Sequence, residues 1–176
     1  MQPSSVDLAI SATWIVPIVP ERRVFEDCAV IVNDGKIVDI LPQTAIAKRY
    51  QPHRSCKLEG QALLPGLVNC HAHAAMSLLK GYADDKPLMQ WLTEYIWPAE
   101  QRWVDAHFVR DGTELALAEM LLSGTTCFSD MYFFPEACAE KAHELGIRAQ
   151  ICFPILDFPT NWGSGPDDYI HKGLEL

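Results

Sequence analysis

No two of the six cysteines in this 176-residue chain (Cys28, Cys56, Cys70, Cys127, Cys138 and Cys152) lie closer than 11 positions. That spacing excludes a C-x-x-C zinc or redox element. There is no Gly-x-Gly-x-x-Gly and no P-loop, so nucleotide-cofactor chemistry has no foothold. The pairing of H-x-E with P-C-x-x-C that marks one class of zinc deaminases is missing too. Basic residues are scarce, with 14 Lys and Arg against 23 Asp and Glu and a formal net charge of −9. This balance argues against a general affinity for nucleic acid or anionic membrane. The first apolar run, Leu8–Pro20, is broken by Ser11, Thr13 and Pro17, is too short to cross a bilayer, and follows no basic residue. Without an export signal, the expectation is a cytoplasmic protein with reduced thiols.

What remains is ordinary for a packed globular chain: 49% hydrophobic and 21% charged. Val6, Leu8, Ile10, Ala12 and Trp14 alternate with Asp7, Ala9, Ser11 and Thr13, a period of two that predicts a half-buried strand. Ala29–Val32 and Ile37–Leu41 flank Asn33-Asp34-Gly35-Lys36, whose Asp-Gly supplies the two positive-φ positions of a tight hairpin. Residues 1–62 therefore read as a small antiparallel β-sandwich part, with Tyr50–Ser55 as a surface connection.

From Leu64-Pro65-Gly66 the pattern changes to strand–helix alternation. Leu67–Cys70 is a short apolar strand followed by a long helical region. Asp105 is placed to cap a helix with an apolar stripe of Phe108, Leu115, Ala118 and Leu122, and Gly124 to end it. Thr125–Met131 reads as a strand, and Pro135–Leu145 as a helix with Cys138, Ala142 and Leu145 on one face. Arg148–Pro154 is a further strand, and Asp168–Leu176 a further helix. Such alternation implies a parallel sheet. A (β/α)8 barrel needs about 250 residues, so residues 63–176 are expected to form the first βα units of an incomplete barrel. On this reading the chain is the N-terminal part of a longer protein, and an exposed barrel edge would favour self-association.

His71-Ala72-His73 follows the first of these strands directly. Residues two apart in an extended chain share a side, roughly 6–7 Å apart along the strand. Two imidazoles so placed can close on one divalent ion, zinc or iron. They stand at the carboxyl end of a strand, where α/β folds place active sites.

The run Leu63-Leu64-Pro65-Gly66-Leu67-Val68-Asn69-Cys70-His71-Ala72-His73 resembles the first-strand signature of the amidohydrolase superfamily. The likeness is strongest to the branch of 5′-methylthioadenosine/S-adenosylhomocysteine deaminases and triazine chlorohydrolases, and continues through Ala74-Ala75-Met76, Gly124-Thr125-Thr126 and Asp130-Met131-Tyr132. It implies a small β-sandwich ahead of a barrel, with a mononuclear metal site in the barrel mouth. There a metal-activated water attacks an sp² carbon and ammonia leaves. His71 and His73 match the first two ligands. The other ligands and the acid–base Glu and His have no counterpart in this sequence, so no catalytic residue is expected within it.

The same resemblance makes Trp91 and Glu100 substrate-binding candidates, Glu100 as acceptor for ribose hydroxyls. From the residues alone, Trp91 is equally a core aromatic among Leu88, Leu92 and Tyr95, and Glu100 equally a solvated carboxylate. Phe153 stands about where relatives often place an Arg, which favours an apolar 5′ substituent such as methylthio. Asp130, at the end of its strand, points toward the barrel mouth, where it either supports or lines the site or caps the next turn. His53, His107, His143 and His171 read as surface or capping residues, and the cysteines as small core residues. The expected function is metal-dependent deamination of an adenosine-like nucleoside. The alternatives are a hydrolase of triazines or other aminated heterocycles, and a non-catalytic truncated chain.

Overall fold

The structure is a computed structural model and describes residues 2–176. The chain divides into two compact units, one up to Pro65 and one over Gly66–Leu176.

The first unit is one four-stranded sheet. Its strands are β1 (Ser4–Ile15), β2 (Phe25–Asn33), β3 (Lys36–Pro42) and β4 (Tyr50–Leu63), in the order β3-β2-β1-β4, with a one-turn helix α1 (Ile46–Arg49) before β4. The hairpin between β2 and β3 forms as read, with Asp34 and Gly35 at φ 50° and 69°. Two expectations need correction. Tyr50–Ser55 is not a surface connection but the start of β4, and β4 runs parallel to β1, which makes the sheet mixed rather than antiparallel. Gln51-Pro52-His53-Arg54 is polar and holds a proline, so nothing local marks it as strand; pairing with an edge of β1 overrides propensity. The second concerns β1, whose buried residues are Val6, Ala9, Ser11, Ala12 and Ile15, while Trp14 is exposed. The strict alternation fails because both faces of the sheet are covered. Ala29 and Ile31 of β2 join Val6, Ala9 and Leu41 in one cluster, and Cys28 and Val30 join Ala12 and Ile15 in another.

The second unit holds a three-stranded parallel sheet, β5 (Leu67–Ala72), β6 (Thr125–Met131) and β7 (Arg148–Cys152), in sequence order. A 3-10 segment, Ala74–Leu79, follows β5 directly. A continuous helical stretch then comprises α2 (Leu88–Gln90), a π segment (Trp91–Ile96) and α3 (Trp97–Trp103). Next is α4 (Ala106–Leu122), whose Asp105 cap accepts the Phe108 amide at 2.8 Å as the sequence predicts. Helix α5 (Pro135–Leu145) connects β6 to β7, and α6 (Pro166–Leu174) follows β7.

The stripe of α4 is set one position off the one read from sequence. Val109, Gly112, Thr113, Ala116 and Leu117 are buried, whereas Leu122 is 90% exposed. The shift follows from Gly112, where an added Cβ would stand 2.3 Å from the Ala75 carbonyl oxygen. Only glycine admits so close an approach of the 3-10 segment, and that contact decides which face turns inward. Phe128, Leu117, Val109, Ala137, Cys138 and Ala142 form the core around β6. Leu145, expected on the inner face of α5, is 41% exposed.

Candidate functional site

At the carboxyl end of β5, His71 and His73 present Nε2 atoms 3.3 Å apart, with ring centroids 5.0 Å apart and planes at 86°. Their spacing along the strand would leave them farther apart. The gap closes because the β5–β6 ladder loses register between Asn69 and Ala72 and the chain turns at His73 into the 3-10 segment. The Nδ1 of His73 lies 2.7 Å from the Met131 carbonyl at the end of β6. A carbonyl oxygen only accepts, so Nδ1 carries the proton and Nε2 keeps its lone pair toward His71.

This arrangement fits a zinc ion. Zinc–nitrogen bonds of about 2.0–2.1 Å in tetrahedral geometry put two ligand nitrogens about 3.3–3.4 Å apart, which is the separation found. No group of three or more His, Cys, Asp or Glu converges as a metal site among the described residues. The pair alone supplies two nitrogen donors, at a spacing that a tetrahedral zinc ion would accept.

Directly beyond His73, the Ala74 amide donates to Asp130 Oδ1 at 2.6 Å, while Cys138 Sγ donates to the other oxygen at 3.5 Å. Asp130 is 2% exposed. The carboxylate therefore holds the segment that leaves His73 rather than the turn that follows β6. Burial pushes its carboxyl above the usual range, against these hydrogen bonds.

Glu100, on α3, is no solvated carboxylate. It is half-buried, and Oε1 accepts the Tyr132 hydroxyl at 2.7 Å. Burial raises its carboxyl above the ordinary value, opposed by the Tyr132 bond and by the nearby His73. The Tyr132 hydroxyl is raised as well, first by burial and then by Glu100, so it stays a donor. Glu100 lines a cleft of about 380 Å³ with Thr93, Trp97, Phe133, Phe158 and Asn161. The Asn161 amide donates to the carbonyls of Gln101 and Val104 at 3.0 and 2.8 Å and so closes the end of α3.

Trp91, half-buried in the π segment, does not line this cleft; Trp97 does. Phe153 is packed on Trp162, with centroids 5.9 Å apart, and against Gly173, and is likewise absent from the cleft wall. Of the remaining histidines, His53 lies in β4 rather than a loop and pairs with Ser5 Oγ at 3.1 Å; His171 of α6 pairs with Glu175. Sequence reasoning missed Tyr132, Trp97 and Asn161. Only Tyr132 had a signal, as the residue after the predicted strand end at Met131.

The amidohydrolase family matches residues 62–175. A 5-methylthioadenosine/S-adenosylhomocysteine deaminase of Saccharophagus degradans is 61% identical over 170 residues, covering 97% of this chain and 38% of the relative. Its counterpart in Teredinibacter turnerae is 54% identical over 173 residues, covering 98% and 39%. A zinc-bound adenosine deaminase from Xanthomonas campestris superimposes with a TM-score of 0.94 at 46% identity, over 98% of this chain and 39% of that one. The zinc complex of an atrazine chlorohydrolase from Arthrobacter aurescens shares the fold, with a TM-score of 0.83 at 23% identity over 96% and 42%. The chain thus spans about two fifths of the length of the curated relatives it matches.

Proposed function

This chain belongs to the amidohydrolase family, and from that premise we propose that it supplies the first part of a zinc-dependent deaminase of adenosine-like nucleosides. In this reading, residues 1–62 are the leading part of a β-sandwich, and β5, β6 and β7 are the opening strands of a (β/α)8 barrel whose mouth holds the site. The observation that carries the reading is the pair of Nε2 atoms at a tetrahedral edge, one tied to its tautomer by Met131.

His71 and His73 would hold the metal through Nε2. When bound, such an ion supplies Lewis acidity, which brings the ionisation of a water down to about pH 7. The rest is done by the protein's own side chains. Glu100 offers its free oxygen, with Oε1 engaged by Tyr132, as an acceptor for vicinal ribose hydroxyls. Trp97, Phe133 and Phe158 wall the cleft with aromatic faces and exclude water from that hydrogen bond. Trp91 is the second substrate contact that the resemblance suggests, and it lies in the π segment outside this cleft. The names of the Saccharophagus and Teredinibacter relatives support 5′-methylthioadenosine and S-adenosylhomocysteine as the substrate class.

The test is to replace the matching portion of the Saccharophagus degradans protein with this chain and measure ammonia release from 5′-methylthioadenosine. Activity with stoichiometric zinc is expected, and His71→Ala should abolish both. A folded, zinc-loaded chimera without activity would refute the reading. Glu100→Gln in the same background should weaken nucleosides and spare a ribose-free heterocycle; equal losses on both would remove the ribose role.

A further inference from the structure

Three consecutive residues at and just past the end of β6 reach toward the candidate site: the Asp130 carboxylate, the Met131 carbonyl and the Tyr132 hydroxyl. The first two act on the same short segment. His73 can give its Nδ1 proton to Met131 only while the His73–Ala74 peptide lies against β6. The sheet itself does not guarantee this, because the β5–β6 ladder is irregular between Asn69 and Ala72 and its last pair is Ala72 with Asp130. Beyond that point the Ala74 N–H is held by Asp130 Oδ1 at 2.6 Å. The carboxylate is in turn fixed by Cys138 Sγ and by nearly complete burial. Asp130 is the only buried acid among the described residues. A buried carboxylate is costly unless hydrogen-bonded, and here both oxygens are engaged.

We propose that Asp130 is a positioning residue: by pinning the Ala74 amide to β6 it sets the aim and tautomer of His73, so that Nε2 is ready as a ligand before any metal arrives. The proposal rests on the reading of His71 and His73 as metal ligands. Hydrogen bonds behind a ligating imidazole orient it and typically change metal affinity about 10–100-fold when lost.

The test uses the chain as it is, with ¹⁵N-labelled histidine and no metal. Nitrogen shifts should show His73 protonated at Nδ1 and bare at Nε2. Asp130→Ala should give His73 a mixture of tautomers and weaken zinc binding, followed by calorimetry, about tenfold or more. Asp130→Asn keeps an oxygen for the Ala74 N–H and should restore both readouts. Val109→Ala, a core truncation in α4, should lower stability and move neither. A wild-type His73 protonated at Nε2 overturns the proposal, as does Asp130→Ala with unaltered tautomer and affinity, or Asp130→Asn failing alongside Ala. If Asp130→Ala does not fold, the wild-type tautomer and the Asn variant still decide. A preset tautomer with no zinc uptake would support the positioning and overturn the metal reading instead.

Discussion

Up to Pro65 the described residues bury one polar side chain, Ser11; beyond Gly66 they bury Thr113, Thr125, Asp130 and Lys141. The first unit is hydrocarbon between paired strands, with positive φ at Ile18, Arg22, Asp27 and Asp34. The second unit places charge inside and satisfies it, Asp130 with an amide and a thiol, Lys141 with Glu114 and Glu144 at 2.8 and 2.9 Å. Polar burial is destabilising unless each group is partnered. Its concentration around β6 therefore marks where the fold gives up packing economy for geometry. The contrast teaches where to look: a sheet whose one buried polar side chain is Ser11 is a platform, and a strand tip that buries a carboxylate beside an imidazole pair is the candidate site.

The contrast would break first if β6 were held mainly by its polar contacts. Phe128, 1% exposed at the centre of the second unit's core, argues otherwise. Phe128→Ala should cost about 3–5 kcal/mol in denaturant unfolding. A loss below about 1 kcal/mol would mean that the polar contacts of Asp130 rather than hydrocarbon sustain β6.

Two glycines sharpen the comparison at smaller scale. In Gly112→Ala the new Cβ meets backbone of Ala75, at 2.3 Å from its oxygen and 2.8 Å from its Cα, so one segment must move. A loss of about 1–3 kcal/mol is expected, together with weaker zinc binding, because Ala75 lies two residues past His73. In Gly35→Ala the new Cβ meets nothing within 4 Å, and only the φ of 69° resists it. That costs about 1–2 kcal/mol and should leave zinc affinity unchanged. Unfolding curves with zinc titrations on both variants check the pair. Equal effects on zinc would erase the distinction between platform and site.

The same contrast explains what could be read from residues. Asp34-Gly35, the Asp105 cap and the bounds of Thr125–Met131 and Pro135–Leu145 were legible because each is local: a positive-φ pair, a side chain that caps its own helix, a short run opening after Gly124, a proline start and glycine stop. His71 and His73 stood out by spacing and by place at a strand end. What stayed hidden depends on distant partners. Strand β4 is a strand because β1 lies beside it. The inward face of α4 follows from the contact of Gly112 with Ala75. The bond of Tyr132 to Glu100 spans 32 positions, and no periodicity encodes it.

The smallest expected effect bears on function most directly. Burial raises the Glu100 carboxyl above its ordinary value of 4.5. The folded chain therefore binds that proton more tightly than the unfolded chain does, and stability falls as pH rises from about 4.5 through the raised value. At neutral pH the ionised carboxylate is a standing cost. Glu100→Gln removes the charge and keeps an acceptor for the Tyr132 hydroxyl, so the variant should melt higher at pH 7, on the order of 2 °C. The advantage should vanish near pH 4, where the wild-type carboxyl is itself protonated. Thermal melts of both proteins at the two pH values measure this. A less stable variant at pH 7 would show that the carboxylate holds the fold together. A more stable one would mean that the charge is kept against the interest of stability, which is how a group reserved for a ligand behaves.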